Sequence, residues 1–414
     1  MGGHPQHRAL TMSTHPTRVQ TPHWTMTTVS PGTAGHSRSI CIATVHPIGD
    51  QRIVRCAQAL ADAGHAVHFV WLGGEAGHTR YSDVLAETRI KPAASFRERV
   101  RKLADVTRAA WRSDADIWHI HDFYMLPFAL VWRWSKRRPV VYDVHEFYPE
   151  YYAGRLPLPA APRRVARRLA WAVEKWLAKR LGAVNVVNDI LAQRFRRAGV
   201  KVSVTPNFPA LNGRGGAVRE LTPELLKRVI HTGTLSAGYG APLILETAHI
   251  LADVAPDVEI TVIKRFLSRS DQIAFEELLE RRGCPANLTL LEPMPVNALV
   301  DVLSGHGIGL SALQTGGQND LAIPTKLFEY VSLGLAVVTS DLAASRTFMA
   351  EHGRGELADP RSPDAFANGI CALQAEADRV CAQVNEAATR ASTSMSWERM
   401  CAPELQRLVE SLQR

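Results

Sequence analysis

Short apolar runs alternate with stretches of helical periodicity along nearly the whole chain, and the alternation breaks off once and then restarts. Residues 40–45 read as a strand, 52–63 as a helix stopped by Gly64, and 66–72 as a second strand. A β-loop-α-β unit of this kind builds parallel sheet. Strands at 116–121, 139–144, 183–187 and 202–206 follow, with helices at 128–134, 162–181 and 189–198. Residues 210–219 (ALNGRGGAVR) are Gly-rich and polar, the composition of a linker. Beyond it strands are predicted at 228–231, 258–264, 288–291, 308–311 and 336–339. Helices are predicted at 242–254, 272–282, 296–304, 325–332, 364–385 and 397–413. The fold class is therefore α/β, with two doubly wound Rossmann-like domains (38–209 and 220–390) facing a cleft and a last helical segment, 391–414, crossing back to the first. Ligands of such sheets sit beyond the carboxyl ends of the strands, so the cleft is the expected site.

Size and composition agree with this. A chain of 414 residues exceeds what one core supports. No apolar run reaches the roughly 20 residues of a membrane span. The six cysteines (Cys41, Cys56, Cys284, Cys371, Cys381, Cys401) have no C-x-x-C spacing, so neither a metal site nor a disulfide framework is expected, and a reducing cytoplasm suits them. Residues 1–37 are rich in His, Thr, Pro, Gly and Ser without apolar periodicity; they read as a disordered leader or a mis-assigned start, not a secretory signal. The pair Asp114 and Asp116 has the D-x-D form of some metal motifs, but it precedes a strand and reads as turn chemistry.

The densest chemistry lies in Ile323-Pro324-Thr325-Lys326-Leu327-Phe328-Glu329-Tyr330, which runs on to Gly334. Proline suits a helix start and glycine its stop. Lys326 and Glu329 share one face near the N-terminus, where free amides favour phosphate. Spacing alone allows either a surface ion pair or a grip on a diphosphate and a ribose diol. His119-Ile120-His121-Asp122 ends a strand with both histidines on one side. His145 and Glu146 end the next strand within Tyr142-Asp143-Val144-His145-Glu146-Phe147-Tyr148-Pro149-Glu150. They are cleft residues or plain helix-capping and loop residues.

These motifs resemble those of retaining GT-B glycosyltransferases of the family 4 type, over roughly residues 38–405. The proline-lysine form, P-x-K-x-x-E-Y, matches Pro324, Lys326, Glu329 and Tyr330, while the acidic residue many relatives carry eight positions earlier is Leu321 here. The resemblance implies catalytic roles for His121, Lys326 and Glu329, with Glu329 on the donor ribose and Lys326 by the diphosphate. It implies donor contacts from Gly49, Gly233, Thr234, Leu313, Pro324 and Thr325, and an acceptor side of Asp50, Arg52, Asp122, His145 and Glu146. Asp50 also reads as a helix N-cap. Ser396-Trp397-Glu398 looks like the last motif, where the chain returns to the first domain. Relatives usually carry a cation after the first strand of the second domain; here Tyr239 holds that place, and Lys264 or Arg265 is the expected substitute.

The reading is a glycosyltransferase that moves a hexosyl-type sugar from a nucleotide-diphosphate sugar to a polysaccharide or glycolipid precursor or a soluble metabolite, with retention and without a metal or other cofactor. A nucleotide-sugar epimerase and a non-catalytic nucleotide-sugar binder are the alternatives. Residues 155–200 carry eleven Lys or Arg against two acids, a net +9 beside +8 for the chain. That segment is either the charged outer face of a domain or a contact with an anionic membrane, as for a cytoplasmic enzyme held peripherally at the inner face. No recognition motif for nucleic acid accompanies the charge.

Overall fold

The computed structural model describes residues 37–412 apart from 48–50, 74–75, 81–83, 92–95 and 210–218. The expected leader, most of the linker, and Gly49 and Asp50 thus lie outside the described residues.

The first half contributes strands β1 (Ser39–Pro47), β2 (Ala66–Leu72), β3 (Gly77–Arg80), β4 (Leu85–Ile90), β5 (Ile117–Ile120), β6 (Val140–Val144), β7 (Gly182–Val186) and β8 (Val202–Val204). Its helices are α1 (Gln51–Asp62), α2 (Phe96–Arg112), α3 (Leu126–Ser135), α4 (Tyr148–Arg155), α5 (Ala160–Ala178) and α6 (Asp189–Arg196). The second half has β9 (Arg228–His231), β10 (Glu259–Ile263), β11 (Leu288–Leu291), β12 (Ile308–Ser311), β13 (Ala336–Ser340) and β14 (Gly355–Ala358). Its helices are α7 (Ala241–Val254), α8 (Arg269–Arg282), α9 (Val296–Ser304), α10 (Thr325–Ser332), α11 (Ala343–Glu351), α12 (Pro363–Ala375), α13 (Ala377–Ser394) and α14 (Ala402–Glu410).

The sheets run β3-β4-β2-β1-β5-β6-β7-β8 and β11-β10-β9-β12-β13-β14. All pairings are parallel except β3 with β4. In each sheet the strand order reverses beside the first strand, between β1 and β5 and between β9 and β12. A crevice opens at such a switch point because the two flanking connections leave to opposite faces. His121 follows β5, and Gly233 and Leu313 follow β9 and β12, so both crevices carry expected site residues.

The buried strands read as continuous apolar runs, as parallel sheet covered on both faces requires. One core continues from under α1 into the second half through Phe208, whose ring meets Phe328 of α10 edge-on at 5.3 Å; Phe328 meets Phe348 of α11 at 5.0 Å. Each such buried ring contributes about 1.5–3 kcal/mol. Trp397 is buried and its amide donates to Pro209 O at 3.1 Å, while Leu405, Leu408 and Val409 of α14 join the core under α1.

Several elements differ from the sequence reading. The helix expected at 364–385 is two, α12 and α13, broken at Glu376 with φ −112° and ψ 33°. The helix expected at 397–413 begins with a wider turn, Trp397–Cys401, before α14. Strands β3, β4 and β14 and helices α2, α4 and α11 are additional. β4 carries Glu87 facing the core, a carboxylate that breaks an apolar strand pattern; Trp71 Nε1 donates to it at 3.1 Å, which permits the burial.

Candidate functional site

On the second-half side, α10 starts at Pro324 and presents Thr325, exposed, and Lys326, buried. The Tyr330 hydroxyl pins the helix to the sheet, accepting from Thr232 N at 3.1 Å and donating to Leu310 O at 3.3 Å. Gly309 makes room for that ring, since a Cβ there would lie 2.2 Å from it. Lys326 runs under Gly233, where an added Cβ would meet Nζ at 2.0 Å. His231 lies beside the same spot. Its Nδ1 donates to Leu310 O at 3.0 Å, and its Nε2 has no hydrogen-bond partner. Burial lowers the Lys326 ammonium to about 7, with Glu329 opposing and Arg265 reinforcing the fall. Burial raises the half-buried Glu329 carboxyl, against the pull of Arg55, Arg265 and Lys326. Arg55 belongs to α1 and Arg265 follows β10, so Glu329 stands between groups of both halves.

Arg265 is also tied into the wall of the site. Its carbonyl accepts from Leu235 N at 2.7 Å and it bridges Thr234. Lys264 instead pairs with Glu292. Of the two cations expected to replace the one missing at Tyr239, the geometry favours Arg265, which acts on Tyr239, Lys326 and Glu329 together. Leu313 is buried. Gln314 N donates to Gly238 O at 3.0 Å and holds this loop against the turn that carries Tyr239.

On the first-half side, His119, His121 and His145 form a row. The His119 and His121 rings stack at 4.6 Å, and His145 follows at 5.9 Å from His121. Asp143 anchors the row. It accepts from Arg52 Nε at 2.8 Å and Nη2 at 3.3 Å, and from Asn185 Nδ2 at 2.7 Å, with His119 Nε2 at 3.2 Å. Burial acts to raise the Asp143 carboxyl, but Arg52, His121 and His119 hold it well below the usual carboxylate range. His121 is fully buried, and neither ring nitrogen has a hydrogen-bond partner. Burial drives its pKa well below the ordinary histidine value, although Asp143 resists. A neutral imidazole with unspent nitrogens can donate or accept one bond toward a ligand.

Two residues assigned to the acceptor side serve the scaffold. Arg52 is buried, and its remaining N–H groups donate to Thr205 O at 2.6 Å, Thr205 Oγ1 at 2.7 Å and Asn207 Oδ1 at 3.1 Å. Asp122 is buried, and its carboxylate accepts from Val45 N at 2.7 Å. A guanidinium placed among one carboxylate and three acceptors is spent, which is the physical reason for the correction. Glu146 acts electrostatically on Tyr239 of the opposite half. His145 Nε2 lies 3.3 Å from the Tyr148 hydroxyl, which donates to His121 O at 2.9 Å.

Sequence reasoning passed over His231, Arg55 and Asn185. A lone histidine ending an apolar strand was the available signal for the first; the others gain meaning only from neighbours far along the chain. Cys56, His119, His121 and Asp143 bring possible ligand atoms within 4.8 Å of one another. The set does not fit a metal ion, because the Asp143 oxygens already take N–H bonds from Arg52 and Asn185, and the guanidinium supplies the positive charge there. Asp114 has φ 47° and pairs with Lys136 at 3.0 Å, in a turn at the far end of the strand from the site.

Residues 50–207 match the family model described as "Glycosyl transferase 4-like domain". No curated protein sequence matches the chain. Among solved structures, the sucrose-phosphate synthase of Thermosynechococcus elongatus is 16% identical with a TM-score of 0.68, over 89% of this chain and 98% of that one. The α,α-trehalose 6-phosphate synthase of Burkholderia multivorans is 14% identical with a TM-score of 0.64, over 90% and 99%. Anabaena HepE, solved in complex with UDP-glucose, is 14% identical with a TM-score of 0.63, over 90% and 99%. At such identities the likeness is one of fold. The class is GT-B, two Rossmann-like parallel sheets facing one another.

Proposed function

We propose that this protein is a metal-independent glycosyltransferase that moves a hexosyl sugar from a nucleotide-diphosphate sugar to an acceptor, with retention of anomeric configuration. The observation that carries the reading is buried Lys326 beneath Gly233 with Glu329 acted on by Arg55 of the first half and Arg265 of the second; the unpartnered ring of His121 at the end of β5 is the further feature. The family match over 50–207 and the UDP-glucose complex of the similarly folded HepE support it.

Glycosyl transfer builds positive charge at the anomeric carbon and negative charge on the departing diphosphate. Lys326, the first amides of α10 and Arg265 stabilise the leaving group, and charge-assisted bonds of this kind contribute about 1.5–3 kcal/mol each. Glu329 accepts from the ribose diol. His121 donates to a sugar hydroxyl. The acceptor approaches from the side of His145 and Glu146, on the same face as the departing phosphate, which takes the acceptor's proton. Apposition of the two halves excludes water.

Incubation with radiolabelled nucleotide-sugars tests the proposal. Transfer to an acceptor, or slow hydrolysis without one, supports it. Isomerisation of the donor assigns an epimerase, and binding without turnover assigns a sensor; either outcome ends the transferase reading.

A further inference from the structure

Helix α5 covers the first half with only one of its faces. Glu174, Leu177 and Ala178 face inward and are buried. Val165, Leu169, Val173 and Trp176 fall on one outward stripe, at spacings of four, four and three, and each is 50–62% exposed. Beside it Arg164, Arg168, Lys175 and Lys179 form a row at spacings of four, seven and four. A soluble helix places its apolar stripe toward the core; this one shows a second stripe to the outside, bordered by cations. Val131 and Trp134 of the neighbouring α3 are also more than half exposed. Nine of the sixteen exposed large apolar side chains among the described residues fall between Tyr124 and Trp176. That concentration distinguishes a patch from scattered surface residues.

A groove leads inward from the patch. It has a volume of about 250 Å3 and an almost wholly apolar wall, including Phe123, Tyr124, Tyr152, Leu156 and Ala166. Ala166 belongs to α5, next to exposed Val165. Its lining also includes Tyr148, one turn from Tyr152 on α4, whose hydroxyl donates to His121 O and lies 3.3 Å from His145 Nε2. A hydrocarbon chain lying there would join the outer patch to the acceptor side of the gap.

We infer that α5 seats the protein on an anionic bilayer and that the acceptor is a lipid-borne hydroxyl or sugar whose hydrocarbon chain lies in this groove. The occupant is set by two coincident features. An apolar stripe alone would suit another protein or a second copy, whereas a stripe flanked by a basic row matches the acyl boundary and anionic headgroups of a membrane. The acceptor half of the inference rests on the glycosyltransferase reading; the docking half does not.

The test is co-sedimentation of the full chain with vesicles of phosphatidylcholine alone or with 30% phosphatidylglycerol, in low and high salt. Thermal shift with UDP-glucose and GDP-mannose is recorded on the same preparations. The expected result is at least tenfold stronger partition onto the anionic vesicles, reduced by high salt. Arg164→Glu/Arg168→Glu and Leu169→Glu/Val173→Glu, both at exposed positions, each remove that partition and leave any donor thermal shift unchanged. Equal partition onto both vesicles, or none, overturns docking even where donor binds. Self-association of the wild type through Leu169 and Val173 without vesicle binding overturns it in favour of a second copy. For the groove, isothermal titration with decyl phosphate and ethyl phosphate is expected to give binding of the long chain only, lost in Ala166→Trp. Equal binding of the two, or no effect of Ala166→Trp, overturns the groove assignment. Vesicle and decyl phosphate binding by a protein that neither binds nor turns over any nucleotide-sugar defeats the transferase reading and leaves the docking surface standing.

Discussion

Donor affinity should depend on pH through Lys326. Burial under Gly233 lowers its ammonium to about 7, which places its titration within the neutral pH range. His231 is neutral there, Glu329 and Arg265 act in opposite directions, and no other titratable group is described acting on Lys326. A bound diphosphate favours the charged amine by roughly 1.5–3 kcal/mol. At 1.36 kcal/mol per unit, that returns its pKa to roughly 8–9 in the complex. Nucleotide-sugars suit the experiment because their diphosphate diester keeps its charge across this range. The dissociation constant should therefore rise about 5- to 25-fold between pH 7 and 9, within a span of about 10- to 100-fold from well below pH 7 to well above pH 9. Isothermal titration with UDP-glucose and GDP-mannose at pH 6, 7, 8 and 9 measures this. Lys326→Met should bind weakly at every pH, without a slope. The free protein should change in the opposite sense. The folded pKa lies below the unfolded one, so the unfolded chain binds more protons between about 7 and 10.5, and stability rises with pH across that window. Lys326→Met should thus raise the unfolding free energy at pH 7 by up to about 4 kcal/mol. A flat affinity profile for the wild type, or the same slope in Lys326→Met, would refute the reasoning.

Gly233→Ala should push the Lys326 ammonium aside and weaken donor binding about tenfold, with a melting temperature within a few degrees of wild type, because the displaced atoms are the end of a flexible side chain. Arg265→Ala should weaken donor binding and Lys264→Ala should not; equal effects in titration calorimetry would show that the cation is misassigned. Arg52→Ala leaves the buried Asp143 carboxylate without its main counter-charge, and urea unfolding should show a loss of about 3–5 kcal/mol. Glu174 is buried, accepts from the Tyr142 hydroxyl at 2.8 Å, and is raised by burial to about 8. The folded state then holds the proton between about 4.5 and 8, so stability falls as pH climbs through that window. Glu174→Gln should equal wild type at pH 5 and exceed it at pH 8.5 in urea midpoint; parity at pH 8.5 would contradict this.

The nearness of Lys326 to Glu329 was legible because a helix converts a spacing of three into proximity without help from the rest of the chain. His119 and His121 were legible for the analogous reason in a strand. Arg52 was misread. Nothing local distinguishes a guanidinium facing an acceptor from one facing Asp143, Thr205 and Asn207, which come from three distant stretches. The choice between Lys264 and Arg265 was open for the same reason, since adjacent residues leaving a strand diverge and only the neighbours decide which one enters the site. The single helix expected at 364–385 failed because apolar periodicity passes through Glu376 without a Gly or Pro to mark the break.

By itself the sequence determined the parallel α/β class, the two runs of strand–helix alternation and the helix that carries Lys326 and Glu329, because periodicity, caps and turns act over a few residues. Only the tertiary structure decided the order of strands, and with it the two switch points and the approach of Arg55 and Arg265 to Glu329. It also decided that the apolar stripe of α5 faces outward. Both are settled by long-range packing, which pairs surfaces whose residues lie up to hundreds of positions apart and leaves no local mark on the chain.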